Sequence, residues 1–213
     1  MGTISWGLIW YPYRLLSDNG ISGVYSSFLS FGFTIALSLV FYRLNNFSSL
    51  KNKNFWVYAL IGGITNIAYV LAVINGELVR VMLLFFLSPV WTIPFSFLFL
   101  NEKLYFKNLL AALLSLIGAF IVLWQNELSL LNINISDVYA IIGGIGFALT
   151  NVLARRFNRL SIKEKSYAIW VGVVIVALIS GMLFPIEISS SSFDFRAIFI
   201  LILLGFILLF TTM

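Results

Sequence analysis

From about residue 3 to about residue 213, long apolar runs alternate with short polar breaks. Hydropathy and breakers mark eight candidate helices, at about 3–17, 21–42, 55–75, 79–100, 105–124, 137–156, 166–184 and 196–213. The connections are polar and short, for instance Gln125-Asn126-Glu127 and the run from Ser189 to Ser192. A hydrocarbon core about 30 Å thick takes about 20 residues at roughly 1.5 Å rise each, and these runs have that length. The pattern predicts an all-α fold, a polytopic transmembrane helical bundle with no soluble domain between spans.

Composition sharpens this picture. The 213 residues are 61% hydrophobic and 10% charged, far from the balance of soluble domains. Cysteine and histidine are both absent, which removes disulfides, thiol nucleophiles, imidazole bases and the usual zinc or haem ligands. No cofactor or metal is expected, and any serine nucleophile would lack an obvious base, so an enzyme is disfavoured. A channel would need a ring of charges or carbonyls, and none is visible. Met1 leads straight into an apolar segment without a basic region, so the first segment is expected to stay as a helix.

Charge sets the orientation. Ten of the 13 basic residues follow the second, fourth and sixth segments: Arg43, Lys51, Lys53, Lys103, Lys107, Arg155, Arg156, Arg159, Lys163 and Lys165. Only Arg14, Arg80 and Arg196 fall on the opposite side, with six acids, Asp18, Glu77, Glu127, Asp137, Glu187 and Asp194. Basic residues are retained on the cytoplasmic side, which places the N-terminus inside. The net charge of +5 then belongs to loops beside lipid headgroups, and nucleic acid is not an expected partner.

Polar and helix-breaking residues inside the spans are the candidates for function. Pro89 and Pro94 interrupt the fourth segment and free the carbonyls of Phe85 and Val90, with Ser88 and Thr92 as local hydroxyls able to relieve them. The segment is expected to bend at Pro89 and to turn that face toward a central cavity. Asn66 and Tyr69, in "GGITNIAYV", and Asn151, beside Thr150, lie deep enough to need partners, across a helix interface or in a cavity. Arg14, two residues after Pro12, either meets an anionic group near the interface or snorkels and pairs with Asp18. Trp56, Trp124 and Trp170 lie near predicted helix ends and read as interfacial anchors. Trp6, Trp10 and Trp91 lie deeper, where cavity lining and ordinary packing both stay open. The candidate substrate-binding set is therefore Trp10, Arg14, Asn66, Tyr69, Ser88, Trp91 and Asn151, with Pro89 and Pro94 as a hinge. Gly62, Gly63, Gly143, Gly144 and Gly146 read as close helix contacts. Glu102, next to Lys103 at a helix end, suits an exposed ion pair or a cap better than proton coupling.

A weak internal echo links "WGLIWYPYR" from Trp6 with "FALTNVLAR" from Phe147. Five spans separate the two, so the copies would run in opposite directions, as in many secondary transporters. Residues 1–124 then form a first five-helix repeat and 137–213 three helices of a second. On that reading a complete protein has about ten helices and roughly 270–300 residues, and the chain is expected to be C-terminally truncated.

These residues resemble the drug/metabolite transporter superfamily, in particular the bacterial ten-helix EamA type built from two inverted five-helix repeats. The matching stretches are "WG" before Arg14, "ELVRVMLLFFLSPVWTIPFSFLFLNEKL", "LLSLIGAFIVL" and "FALTNVLARRF". Pro89 and Glu102 match the proline and terminal glutamate of the family's fourth helix, whereas Asn101 stands where glycine usually precedes the glutamate. The resemblance implies alternating-access movement of a small metabolite, amino-acid-like or related, across a bacterial inner membrane. It implies the lipid bilayer and a small-molecule substrate as partners, and leaves a homodimer open. No acid falls at mid-depth in any span, which separates the chain from small multidrug exporters with a central carboxylate. The alternative is a nontransporting membrane assembly or scaffold subunit, or an inactive fragment of a transporter.

Overall fold

The computed structural model describes residues 7–42, 47–103, 105–125, 133–183 and 194–212. The described residues are helical throughout apart from short connections: α1 (Trp10–Asp18), α2 (Gly23–Tyr42), a 3-10 turn (Phe47–Lys51), α3 (Lys53–Asn75), α4 (Leu78–Phe85), α5 (Ser88–Leu100), α6 (Phe106–Gln125), α7 (Ile135–Arg156), α8 (Ile162–Leu183) and α9 (Phe195–Thr212). Together α4 and α5 make one span, Leu78–Leu100, and among the described residues it is one of five stretches long and apolar enough to cross a membrane. A bundle of this kind can stand in lipid because each helix satisfies its own backbone polar groups. Trp6 and the Ser189 to Ser192 run lie outside the described residues.

The bundle is organised around α3, which packs most extensively against α8 and α7. In lipid no hydrophobic effect drives one apolar helix onto another, so association rests on close backbone approach. The sequence supplies it with glycine. A Cβ on Gly172 of α8 would overlap the Ala59 carbonyl of α3, and one on Gly63 would overlap the Gly172 carbonyl. On the α7 side, Gly143 lies against Phe85 and the backbone of Tyr69, and Gly146 against Thr65. By contrast α6 touches chiefly α5 and leaves Leu113, Leu114 and Phe120 exposed, as lipid contact allows.

Helix termini gather at two ends. Arg14 of α1, the C-terminus of α3, Arg80 of α4 and Asp137 of α7 meet at one, the acidic end. Glu102, Arg155, Arg156, Glu164 and Lys165 share the other, the basic end. There α8 opens with Ser161 accepting from the Glu164 backbone N–H at 3.3 Å while the Glu164 carboxylate accepts from the Ser161 N–H at 2.7 Å.

The break in the fourth span falls at Phe86–Leu87, just before the expected bend at Pro89. Pro89 sits in the first turn of α5, where its missing N–H costs nothing because the first amides of a helix have no partner within it. Pro94 lies inside α5 without ending it. The Thr92 hydroxyl donates to the Ser88 carbonyl at 2.9 Å and so relieves neither freed carbonyl. Instead the Phe85 carbonyl faces Gly144 of α7, where a Cβ would come within 2.8 Å of its oxygen. Close approach of the glycine Cα is what the unpaired carbonyl meets.

Candidate functional site

Two cavities of similar size lie between the middle of the bundle and its basic end. The first, of about 550 Å3, is enclosed by α2, α3, the α4–α5 break, α7 and α8 and includes Asn66, Tyr69, Asn151 and Trp170 in its wall. Tyr69 packs on Phe85 with ring centroids 4.9 Å apart, and Phe85 on Phe147 at 5.4 Å, which fixes one aromatic wall. The second, of about 540 Å3, is more open and runs between α5, α6 and α7, past Ser88, Thr92, Ser96, Asn108 and Ser115 to Glu102 and Arg155. Phe147 and Asn151 line both, so a single turn of α7 forms the partition between chamber and vestibule.

The hydroxyls of Thr65 and Thr150 are turned onto their own helices, donating to Ile61 and Gly146 carbonyls at 2.7 and 2.8 Å. Hydroxyls so engaged have given up their proton and retain acceptor capacity only. Among the described residues, the Asn66 Oδ1 and the Trp170 Nε1 are buried without a hydrogen-bond partner.

The expected site residues divide between these places and the periphery. Asn66, Tyr69 and Asn151 line the chamber, while Ser88, Pro89 and Asn151 line the vestibule. Trp10, Arg14, Trp91 and Pro94 line neither. Arg14 neither awaits an anion nor pairs with Asp18. Its guanidinium donates to the Val73 and Gly76 carbonyls at 2.7 and 2.5 Å, capping the C-terminus of α3, with Trp10 stacked 6.0 Å away. Trp91 lies on the exposed side of α5, because the inward face is taken by Ser88, Thr92 and Ser96 at four-residue spacing. That hydroxyl stripe is visible in the sequence and is a better pointer to the vestibule than the tryptophan.

Trp170 corrects the reading in the other direction. It is no interfacial anchor: it is fully buried, because α8 begins at Ile162 rather than near residue 166 and carries it more than two turns inward. Trp56, exposed near the basic end, donates from Nε1 to the Leu50 carbonyl at 2.8 Å, while the Trp124 side chain lies outside the described residues.

Ion pairs tie the helices at the two ends unequally. At the acidic end Arg80 makes a two-pronged contact with Asp137, Nε to Oδ1 at 2.8 Å and Nη2 to Oδ2 at 2.7 Å, and both side chains are largely buried. At the basic end Glu102 pairs with Arg155 of α7 in the open, not with its neighbour Lys103, and Arg156 donates to the Phe99 carbonyl. Asn101 sets this up. It ends α5 at φ 53°, in the left-handed region where asparagine substitutes for glycine, and the Glu102 N–H turns back to the Ser96 carbonyl at 3.3 Å.

The apolar spans and the internal chamber, partly lined by amides and aromatics, together describe a polytopic helical membrane protein. Comparison with known families agrees, because the model of the EamA-like transporter family matches residues 1–124. The chain belongs to the EamA-like transporter family, within the drug/metabolite transporter superfamily. It is also similar to an uncharacterized transporter of Archaeoglobus fulgidus, 29% identical over 101 residues, a stretch that covers 47% of this chain and 36% of that protein. The match thus spans little more than a third of that relative's length. No solved structure matches.

Proposed function

We propose that the chain carries a small organic solute of amino-acid size through the chamber by alternating access, in a bacterial cytoplasmic membrane and with the N-terminus inside. The observation that carries this reading is the chamber itself, about 550 Å3 and lined by Asn66, Tyr69 and Asn151 at the broken span, a size and lining suited to a small molecule. Its position toward the basic end, with the Arg80–Asp137 pair closing the acidic end, supports a state open to the cytoplasm. On the same reading residues 1–124 are one five-span repeat and 137–213 belong to an oppositely directed one. The break at Phe86–Leu87 is then the flexing point, with Pro89 as the residue that keeps α5 from rejoining α4.

Single cysteines test it cleanly because the sequence contains none. Asn66→Cys and Asn151→Cys in membrane vesicles should react with a water-soluble maleimide, and faster when the cytoplasmic side faces the reagent, while Trp91→Cys should stay slow from both sides. Equal inertness of all three would sink the reading.

A further inference from the structure

Chamber and vestibule are separate spaces of about 550 and 540 Å3, yet Phe147 and Asn151 belong to the walls of both. These residues stand one turn apart on the same face of α7, so a solute moving from one space to the other passes over that face. Phe147 is the bulkier of the two. It is 37% exposed, whereas Phe85, the ring it stacks on with centroids 5.4 Å apart, is 8% exposed.

The stack therefore has a fixed member and a free one. Phe85 is pressed onto α7, since a Cβ on Gly143 would come within 3.2 Å of its ring and one on Gly144 within 2.8 Å of its carbonyl oxygen. Tyr69 of α3 holds the same ring at 4.9 Å. Phe147 meets no such confinement on its vestibule side. Across that space α6 presents Ala111, Ala112 and Ser115, whose small side chains leave room for a ring. A phenylalanine on a helix has two staggered χ1 wells, so its ring can leave the stack by side-chain rotation alone. What opposes the turn is chiefly the lost aromatic contact, which is modest.

We infer that Phe147 gates the passage from vestibule to chamber and so selects cargo by girth. Stacked on Phe85, its ring blocks the way; rotated toward Ala111, Ala112 and Ser115, it clears it. Asn151, one turn nearer the basic end, lies on the same route. Slender solutes then enter on a side-chain rotation, whereas bulky ones wait on movement of whole helices. The inference rests on the chamber being the carrier site proposed above.

Thiol reagents of two sizes test it on the full chain in inside-out membrane vesicles, with Asn66→Cys reporting from the chamber and Ser115→Cys from the vestibule. A small methanethiosulfonate should reach both positions, whereas a bulky stilbene maleimide should reach Ser115→Cys and be held back at Asn66→Cys. Adding Phe147→Ala should raise the small-reagent rate at Asn66→Cys about tenfold, the worth of the lost stack, and the bulky-reagent rate by more. Phe147→Leu should act in the same direction and less strongly, and neither change should alter the rates at Ser115→Cys. If a Phe147 variant does not fold, the bulky-to-small rate ratios of the two reporters with Phe147 in place decide alone, and equal ratios would overturn the gate. So would a Phe147→Ala variant that leaves both rates at Asn66→Cys unchanged, or that speeds both reporters by one common factor, as a general loosening would. In each of these cases the chamber stays reachable and the carrier reading survives. Inertness of Asn66→Cys to both reagents in every background would instead remove the carrier site and the gate with it.

Discussion

Asp137 accepts both prongs of the Arg80 guanidinium, at 2.8 and 2.7 Å, and also the backbone N–H of Asn134 at 2.9 Å. One carboxylate thus caps the N-terminus of α7 and fastens it to α4, with a side-chain exposure of 6% against 14% for the arginine. Breaking such a pair leaves a buried charge alone. Asp137→Ala is expected to destabilise the protein by about 3–5 kcal/mol, read as a lower melting temperature in detergent. The double variant Arg80→Ala/Asp137→Ala should recover part of that loss, and strict additivity would show that the two do not act together.

Glu102 and Arg155 form the matching link at the basic end, but their side chains are 40% and 62% exposed. Water screens such pairs, so Glu102→Gln should change stability by less than about 1 kcal/mol in the same melting experiment. If the two ends proved equally sensitive, the asymmetry described here would not hold.

Gly172→Ala places a methyl group on the Ala59 carbonyl and must push α8 away from α3. Overpacking of this kind costs about 1–3 kcal/mol, and yield in the membrane should fall with it. Gly32→Ala and Gly118→Ala, where nothing lies within 4 Å, serve as controls and should be neutral or slightly stabilising.

Asn101 occupies φ 53° at the end of α5. Asn101→Gly should be neutral or stabilising, whereas Asn101→Val should cost about 1–2 kcal/mol, since a branched side chain is disfavoured in the left-handed region. Equal melting temperatures for the two variants would contradict the backbone geometry.

The span pattern was legible because lipid imposes long uncharged helices, and the ends of α2, α3, α6 and α7 fall within about two residues of where hydropathy puts them. Deep polar residues were legible for a similar reason: Asn66, Tyr69 and Asn151 have nowhere to go but inward. What sequence could not show was rotation about each helix axis, which packing decides. That is why Trp91 points out and Trp170 in. Nor could it show partners such as Arg80 and Asp137, 57 residues apart, or the use of Arg14 on the α3 terminus. The break was placed nearly right from Pro89, but a proline is best tolerated just inside the start of a helix, so the interruption precedes it.

The broken span carries a last consequence through its two unequal fasteners to α7. Dissolved salt shortens the reach of charge from about 10 Å at 0.1 M to about 3 Å at 1 M, and it acts on pairs bathed in water far more than on enclosed ones. Concentrated electrolyte should therefore loosen α5 from α7 at the basic end and leave α4 clamped. Ionic strength thus tells the two fasteners apart, weakening the exposed one and sparing the enclosed one.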